Sequence, residues 1–298
     1  MDLSYSLANQ DGIANAGSLM RSPRRWAALM WSVVFAQALA TAGYSAATPA
    51  GAAPKLTAEE IVAKNVAARG GLEAWRKVQT MVWLGHILSS HAAVPSMPFA
   101  MEQKRPNKTH FEMHAMNETT ERFFNGEQGW KVHPDHGNHP AQEPYSLQEL
   151  RFAQAAPGLD GPLIDYAAKG YTVTLDAVDE IEGHKTYRLG VKLPTGEIDH
   201  VWIDAKTFLD VRYDRPSDGA LGAARPVSVV YSDYRTYEGL QLPSVIETGV
   251  GSGSTPDRMM IERVVLNSPL DDERFTRNTK THRRPAPPTA DPAAATTH

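Results

Sequence analysis

Residues 161–213 carry the pattern that most restricts the fold. Apolar and polar side chains alternate through Tyr171, Val173 and Leu175, and again through Tyr187, Leu189, Val191 and Leu193. A period of two puts one set of side chains on one face of an extended chain, so both runs read as strands with a single buried face. Glu182-Gly183, Thr195-Gly196 and Asp204-Ala205-Lys206-Thr207 separate segments rich in Val, Ile, Tyr or Trp, and turn residues at such short intervals join neighbouring strands as hairpins. The stretch predicts a four-stranded antiparallel meander.

The chain before it mixes helices and further strands. Thr57 with Glu60 three residues later is a capping box, and Ile61, Val62 and Val66 repeat at helical spacing until Gly70-Gly71. A short helix from Leu72 to Val78 carries Trp75. Met81 to Leu88 is apolar on both faces and reads as a strand covered by that helix. Hairpin strands follow at Met97–Lys104, Lys108–His114, Glu118–Phe124 and Trp130–His133, with turns at Pro106-Asn107 and Asn125-Gly126. Pro134 to Pro144 reads as a loop, Ser146 to Ala155 as a helix and Leu163 to Ala168 as a helical piece ending at Gly170. Val227–Tyr234, Leu240–Thr248 and Met259–Leu266 complete the strands, with a loose hairpin loop from Gly249 to Ser254. About eleven or twelve strands without βαβ alternation give a mainly β fold with helices (α+β): one curled antiparallel sheet with helices on one face.

The ends read differently from this body. Arg21-Ser22-Pro23-Arg24-Arg25 followed by the apolar run Trp26 to Ala42 has the basic-then-apolar profile of a secretory signal, with Met20 as an alternative start. Residues 1–52 are therefore a signal region, and small-residue triplets at Ala40-Thr41-Ala42 and Ala50-Gly51-Ala52 place the mature start between Gly43 and Ala53. Residues 53–278 form a single domain, and the Pro-, Ala- and Thr-rich residues 279–298 a disordered tail. The chain has no cysteine, which excludes disulfides, thiolate metal sites, a cysteine nucleophile and a lipid-modified cysteine anchor. The expected location is the periplasm. A net charge of -4 leaves no basic footprint for nucleic acid.

Reactive chemistry is sparse. His133, His136 and His139 have ligand types at three-residue spacing, but in a Pro/Gly loop they read as solvated residues rather than a metal site. Gly249, Gly251 and Gly253 lack the strand-to-helix context of a dinucleotide loop. Asp176, Asp179, Glu180 and Glu182, and likewise Asp271-Asp272-Glu273, cluster at strand ends and turns, where charge faces water. No G-x-S-x-G or H-E-x-x-H occurs. The reading is a non-enzymatic protein without catalytic residues, metal or cofactor.

The apolar inner face is the remaining candidate. Trp83, Phe99, Met101, Phe111, Met113, Leu189, Val191, Trp202, Val211, Val229, Tyr231, Met259 and Ile261 are the candidate ligand-binding residues; with Met81 they either fill a core or line an apolar cavity. Met81, Met97, Met101, Met113 and Met259 supply unbranched thioethers that fit variable shapes.

A series of blocks also carries a resemblance. The Leu56–Ile61 helix ending in Gly70-Gly71, the Lys104-Arg105-Pro106-Asn107-Lys108 turn and Asn125-Gly126 before Gly129-Trp130 open the series. Gly161-Pro162-Leu163-Ile164-Asp165-Tyr166 with Lys169-Gly170, and Pro269 to Phe275, close it. Together they resemble the bacterial outer-membrane lipoprotein-sorting-protein-like family, which shares the fold of the carriers LolA and LolB. The resemblance implies an open β-barrel with a helical lid over a hydrophobic cavity. It also implies an acylated lipoprotein or other lipid as partner, together with inner- and outer-membrane transport components. The segment from Pro134 to Ala168, short helices bounded by Pro and Gly, is the expected lid. Two alternatives stay open: an envelope binding or scaffold protein whose barrel is filled by its own side chains, and a hydrolase or metal-binding protein.

Overall fold

Among the described residues thirteen antiparallel strands form one sheet whose middle is the pairing of the first strand with the last. The computed structural model describes residues 56–276 except 91, 93, 117, 134–140, 217–226 and 251–254; the signal region, the tail, His136 and His139 lie outside the described residues. In the N-terminal half the strands are β1 (Thr80–Leu88), β2 (Ser96–Lys104), β3 (Lys108–Ala115), β4 (Glu118–Phe124), β5 (Gly129–His133) and β6 (Ala141–Pro144). In the C-terminal half they are β7 (Thr172–Ile181), β8 (His184–Lys192), β9 (Ile198–Asp204), β10 (Asp210–Arg215), β11 (Val227–Tyr237), β12 (Leu240–Val250) and β13 (Asp257–Leu266). The order is β6-β5-β4-β3-β2-β1-β13-β12-β11-β10-β9-β8-β7, so each half is a meander and the sheet ends on two free edges, β6 and β7. It is an open, barrel-like sheet rather than a closed barrel.

The predicted meander of residues 161–213 is present as β7 to β10. Glu182 and Gly183 both take positive φ (50° and 81°) between the paired residues Ile181 and His184, the geometry that lets a two-residue turn follow the twist of its strands. The additional strand is β6. Its composition reads as loop, yet Ala141–Pro144 pairs with β5; at a sheet edge only one side of the backbone must be satisfied, so Pro144 is tolerated there. β1 is apolar on both faces, but only one is fully covered: Met81, Trp83 and Ile87 are buried, Val82 and Leu84 half-buried and Leu88 exposed. The helical piece expected at Leu163–Ala168 is a series of turns, because Asp165 adopts φ 51° and a left-handed residue interrupts helical hydrogen bonding.

Helices α1 (Ala58–Ala68), α2 (Leu72–Lys77) and α3 (Leu147–Gln154), with a 3-10 turn at Asp272–Phe275, complete the fold of the described residues. Thr57 and Glu60 cap α1 reciprocally as expected. Two apolar clusters lie between the sheet and helices α1 and α2. One joins Trp75 of α2 to Met81, Phe99, Phe111, Leu242 and Ile261; the other joins Ile61 and Val62 of α1 to Leu189, Val201, Ile203 and Tyr213. Val66 and Ile246 touch both. Among the described residues no helix is long and apolar enough to cross a membrane.

Trp75 ties α2 to α1. It is fully buried, its indole N–H donates to the Arg69 carbonyl at 3.0 Å and the Arg69 guanidinium lies 4.6 Å above its ring. Trp75→Ala is expected to lower stability by about 3–5 kcal/mol, measured by urea unfolding at constant m-value.

Candidate functional site

The chain leaves β6 at one edge of the sheet and enters β7 at the other, so residues 145–171 must cross the mouth between the two edges. Helix α3 begins this crossing. Ser146 and Glu149 form its capping box, and Glu149 also accepts from Arg122 (2.9 Å) and Lys131 (3.2 Å). Burial opposes ionisation of Glu149, but the Ser146 backbone N–H and the Arg122 guanidinium outweigh it and hold the carboxyl down at about 2. These pairs fasten α3 to β4 and β5. Nearly one turn further along, Phe152 receives the Arg215 guanidinium of β10, 3.2 Å from the ring centroid. One short helix thus touches both halves of the sheet.

The turns after α3 plug the mouth. Leu159 and Ile164 join the first apolar cluster and Leu163 the second. Asp160, almost fully buried, pairs with Arg105 Nη2 (2.7 Å) and Lys169 Nζ (2.6 Å). A charge removed from water this completely survives only with such partners. Asp165 takes the fork of Arg76 at 2.7 and 2.9 Å.

Between α3 and the β8–β9 hairpin lies a cleft of about 430 Å³. Phe152, Ala155, Leu193 and Pro216 form its apolar wall, Gln148, Arg151, Thr195 and Glu197 line it with polar groups, and Asp199 and Arg215 are buried within it. Asp199 shares the inner face of β9 with Val201 and Ile203, and the Tyr213 hydroxyl donates to its Oδ2 at 2.5 Å. Burial raises the Asp199 carboxyl to about 6, against the opposing effects of Tyr213 and Arg215. The arrangement suits an amphiphile, with an apolar wall beside positive and titratable groups.

No family model matches the sequence, and no curated protein matches it. Solved structures do resemble it. A LolA superfamily protein from Nitrosomonas europaea is 14% identical over 75% of this chain and 99% of its own, with a TM-score of 0.48. An outer membrane lipoprotein-sorting protein domain from Vibrio parahaemolyticus is 10% identical over 72% of this chain and 94% of its own, with a TM-score of 0.47. The likeness is one of fold alone.

The residues singled out from the sequence divide into three groups. Trp83, Phe99, Met101, Phe111, Met113, Met259 and Ile261 meet in the first cluster; Leu189, Val191 and Val229 meet in the second, with Tyr231 packed against it. Trp202 alternates with Val201 and Ile203 and stands on the outer face, where its indole donates to Asp179 Oδ2 (2.9 Å) beneath the Arg212 guanidinium. Val211 sits half-buried at the irregular step between Asp210 and Arg212. His133 lies on β5, where burial lowers its pKa. Sequence reasoning missed Asp199, Arg215 and Phe152. Asp199 had a signal, since it has the same parity as Val201 and Ile203; the contact of Phe152 with Arg215 had none.

Because the folded pKa of Asp199 lies above the ordinary aspartate value of 3.8, the native state holds this proton more tightly than the unfolded chain. The acid therefore costs nothing below about pH 4 and destabilises progressively as pH rises to about 6. Asp199→Asn, whose amide oxygen still accepts from Tyr213, is expected to be favoured over wild type by up to about 3 kcal/mol more at pH 8 than at pH 3.5. Paired denaturation curves at the two pH values check this, and a pH-independent difference would contradict it.

Proposed function

We propose that this protein is a periplasmic carrier that holds the acyl chain of a lipoprotein or another lipid. The observation that carries the reading is the cleft of about 430 Å³ beneath α3, within the size range of sites for small apolar ligands and set where the crossing segment bridges the two sheet edges. An acyl chain of about fourteen carbons gains on the order of 10 kcal/mol on leaving water, before ordering costs, at about 0.8 kcal/mol per methylene. A carrier must also release its load. Here α3 and the turns to Lys169 act as the lid, and the ligand extends from the cleft toward Met101, Phe111 and Leu189 as the lid moves. Membrane transport components at the two faces of the envelope would load and unload it.

A second reading, a binding or scaffold protein of the envelope with a filled interior, is favoured by one observation. Ile61, Trp75, Leu163, Ile164, Leu189 and Ile203 are all fully buried, so in this conformation the helices and turns occupy much of the inner face. Native mass spectrometry of protein purified from its host separates the two. Bound acyl species, with uptake of a fluorescent fatty acid that falls at least tenfold in Ala155→Trp while circular dichroism is unchanged, are the expected result. A clean apo mass and no uptake would leave the scaffold reading.

A further inference from the structure

On the outer face of the sheet, away from the cleft and the apolar clusters, the hairpin β3–β4 gathers an unusual set of side chains. His110, Glu112 and His114 alternate along β3 and share a face, while Phe111 and Met113 point into the first apolar cluster. Glu112 stands directly opposite Glu121 of β4 in the strand register. Two carboxylates in that relation repel one another and destabilise the pairing unless a cation intervenes.

We propose that His110, Glu112 and Glu121 bind a divalent transition-metal ion, with zinc the best match. One ligand atom from each lies within 4.8 Å of the others, and His110 Nε2 is 3.1 Å from Glu121 Oε2. Tetrahedral ligands around zinc lie about 3.4 Å apart, so only the half-buried Glu112 needs to turn inward. An imidazole with two carboxylates selects such a metal over calcium or magnesium, which prefer oxygen alone.

The surroundings of His110 supply the independent argument. Its Nδ1 is 3.2 Å from Glu102 Oε2 on β2, the carboxylate–histidine arrangement that fixes the tautomer and presents the other ring nitrogen to a metal. Glu102 is itself held by the Arg274 guanidinium from the segment after β13 (Nε to Oε2, 2.7 Å). Phe123 stacks on the imidazole at 4.5 Å and 10°, so the ring is oriented from two sides. His114 Nε2 lies 2.6 Å from Glu112 Oε1, and its Nδ1 faces Thr119 Oγ1 at 2.9 Å. An ion bound here keeps solvent in its remaining position and cross-links β3 to β4.

The test titrates zinc chloride into the chelator-stripped full chain by calorimetry. It is run in wild type, in a loop variant with His133, His136 and His139 replaced by Ala, and in Glu112→Gln and Glu121→Gln. One zinc per chain retained by the loop variant, with affinity at least tenfold weaker in both glutamine variants, is the expected result. In parallel, zinc should raise the melting temperature of wild type but not of Glu112→Gln, a half-buried change that keeps the fold testable should Glu121→Gln fail to fold. Unchanged affinity in Glu112→Gln, or binding lost only in the loop variant, would overturn the site.

Discussion

The antiparallel ladder between β1 and β13 is the constraint on which the rest of this fold depends. Every other strand pair in the sheet joins neighbours in sequence, whereas this pair brings together residues near the two ends of the described chain. Once it forms, each half can extend only away from the centre, and β6 and β7 become the two edges. The ladder is not regular: its register shifts between Leu84 and Gly85, and a Cβ on Gly85 would stand 1.9 Å from the Met260 carbonyl oxygen. Glycine at this position allows the two backbones to approach and adds local twist, as a bulge does.

Two edges far apart in the ladder but adjacent in sequence impose a crossing segment, and ion pairs fasten it in addition to Leu159, Leu163 and Ile164, which are buried in the two apolar clusters. Glu149 holds α3 to Arg122 and Lys131, Asp160 holds the turns to Arg105 and Lys169, and Asp165 holds them to Arg76. Helix α1 is fixed in the same manner: Asn65 donates to the Phe208 carbonyl at 2.8 Å and Arg69 pairs with Asp210 at 3.4 Å. Such charge-assisted contacts are short, directional and stronger than neutral hydrogen bonds.

Much of the sheet was legible because hairpins are local. Alternation through Tyr171 to Leu193 and the Glu182-Gly183 turn give β7 and β8 their limits within a residue or two, and the Thr57–Glu60 capping box marks the start of α1. Local signals misled where the deciding force came from elsewhere. Ala141–Pro144 has loop composition but gains a partner in β5, and 163–168 reads as a helical piece but is interrupted by the left-handed backbone at Asp165. Trp202 belongs by composition to a core, yet its indole finds Asp179 and Arg212 on the outer face.

The site divides along the same line. The sequence by itself determined which side chains share a face, because a strand's period of two is a property of the backbone; it thereby set His110, Glu112 and His114 together and Phe111 and Met113 against them. Only the tertiary structure decided that Glu121 faces Glu112, that Arg274 reaches Glu102 from 172 positions away, and that Phe152 meets Arg215 across the mouth. Those meetings depend on which strands become neighbours and how far the sheet curls. Both are set by the summed packing of two apolar clusters against α1 and α2, which no short stretch of residues encodes.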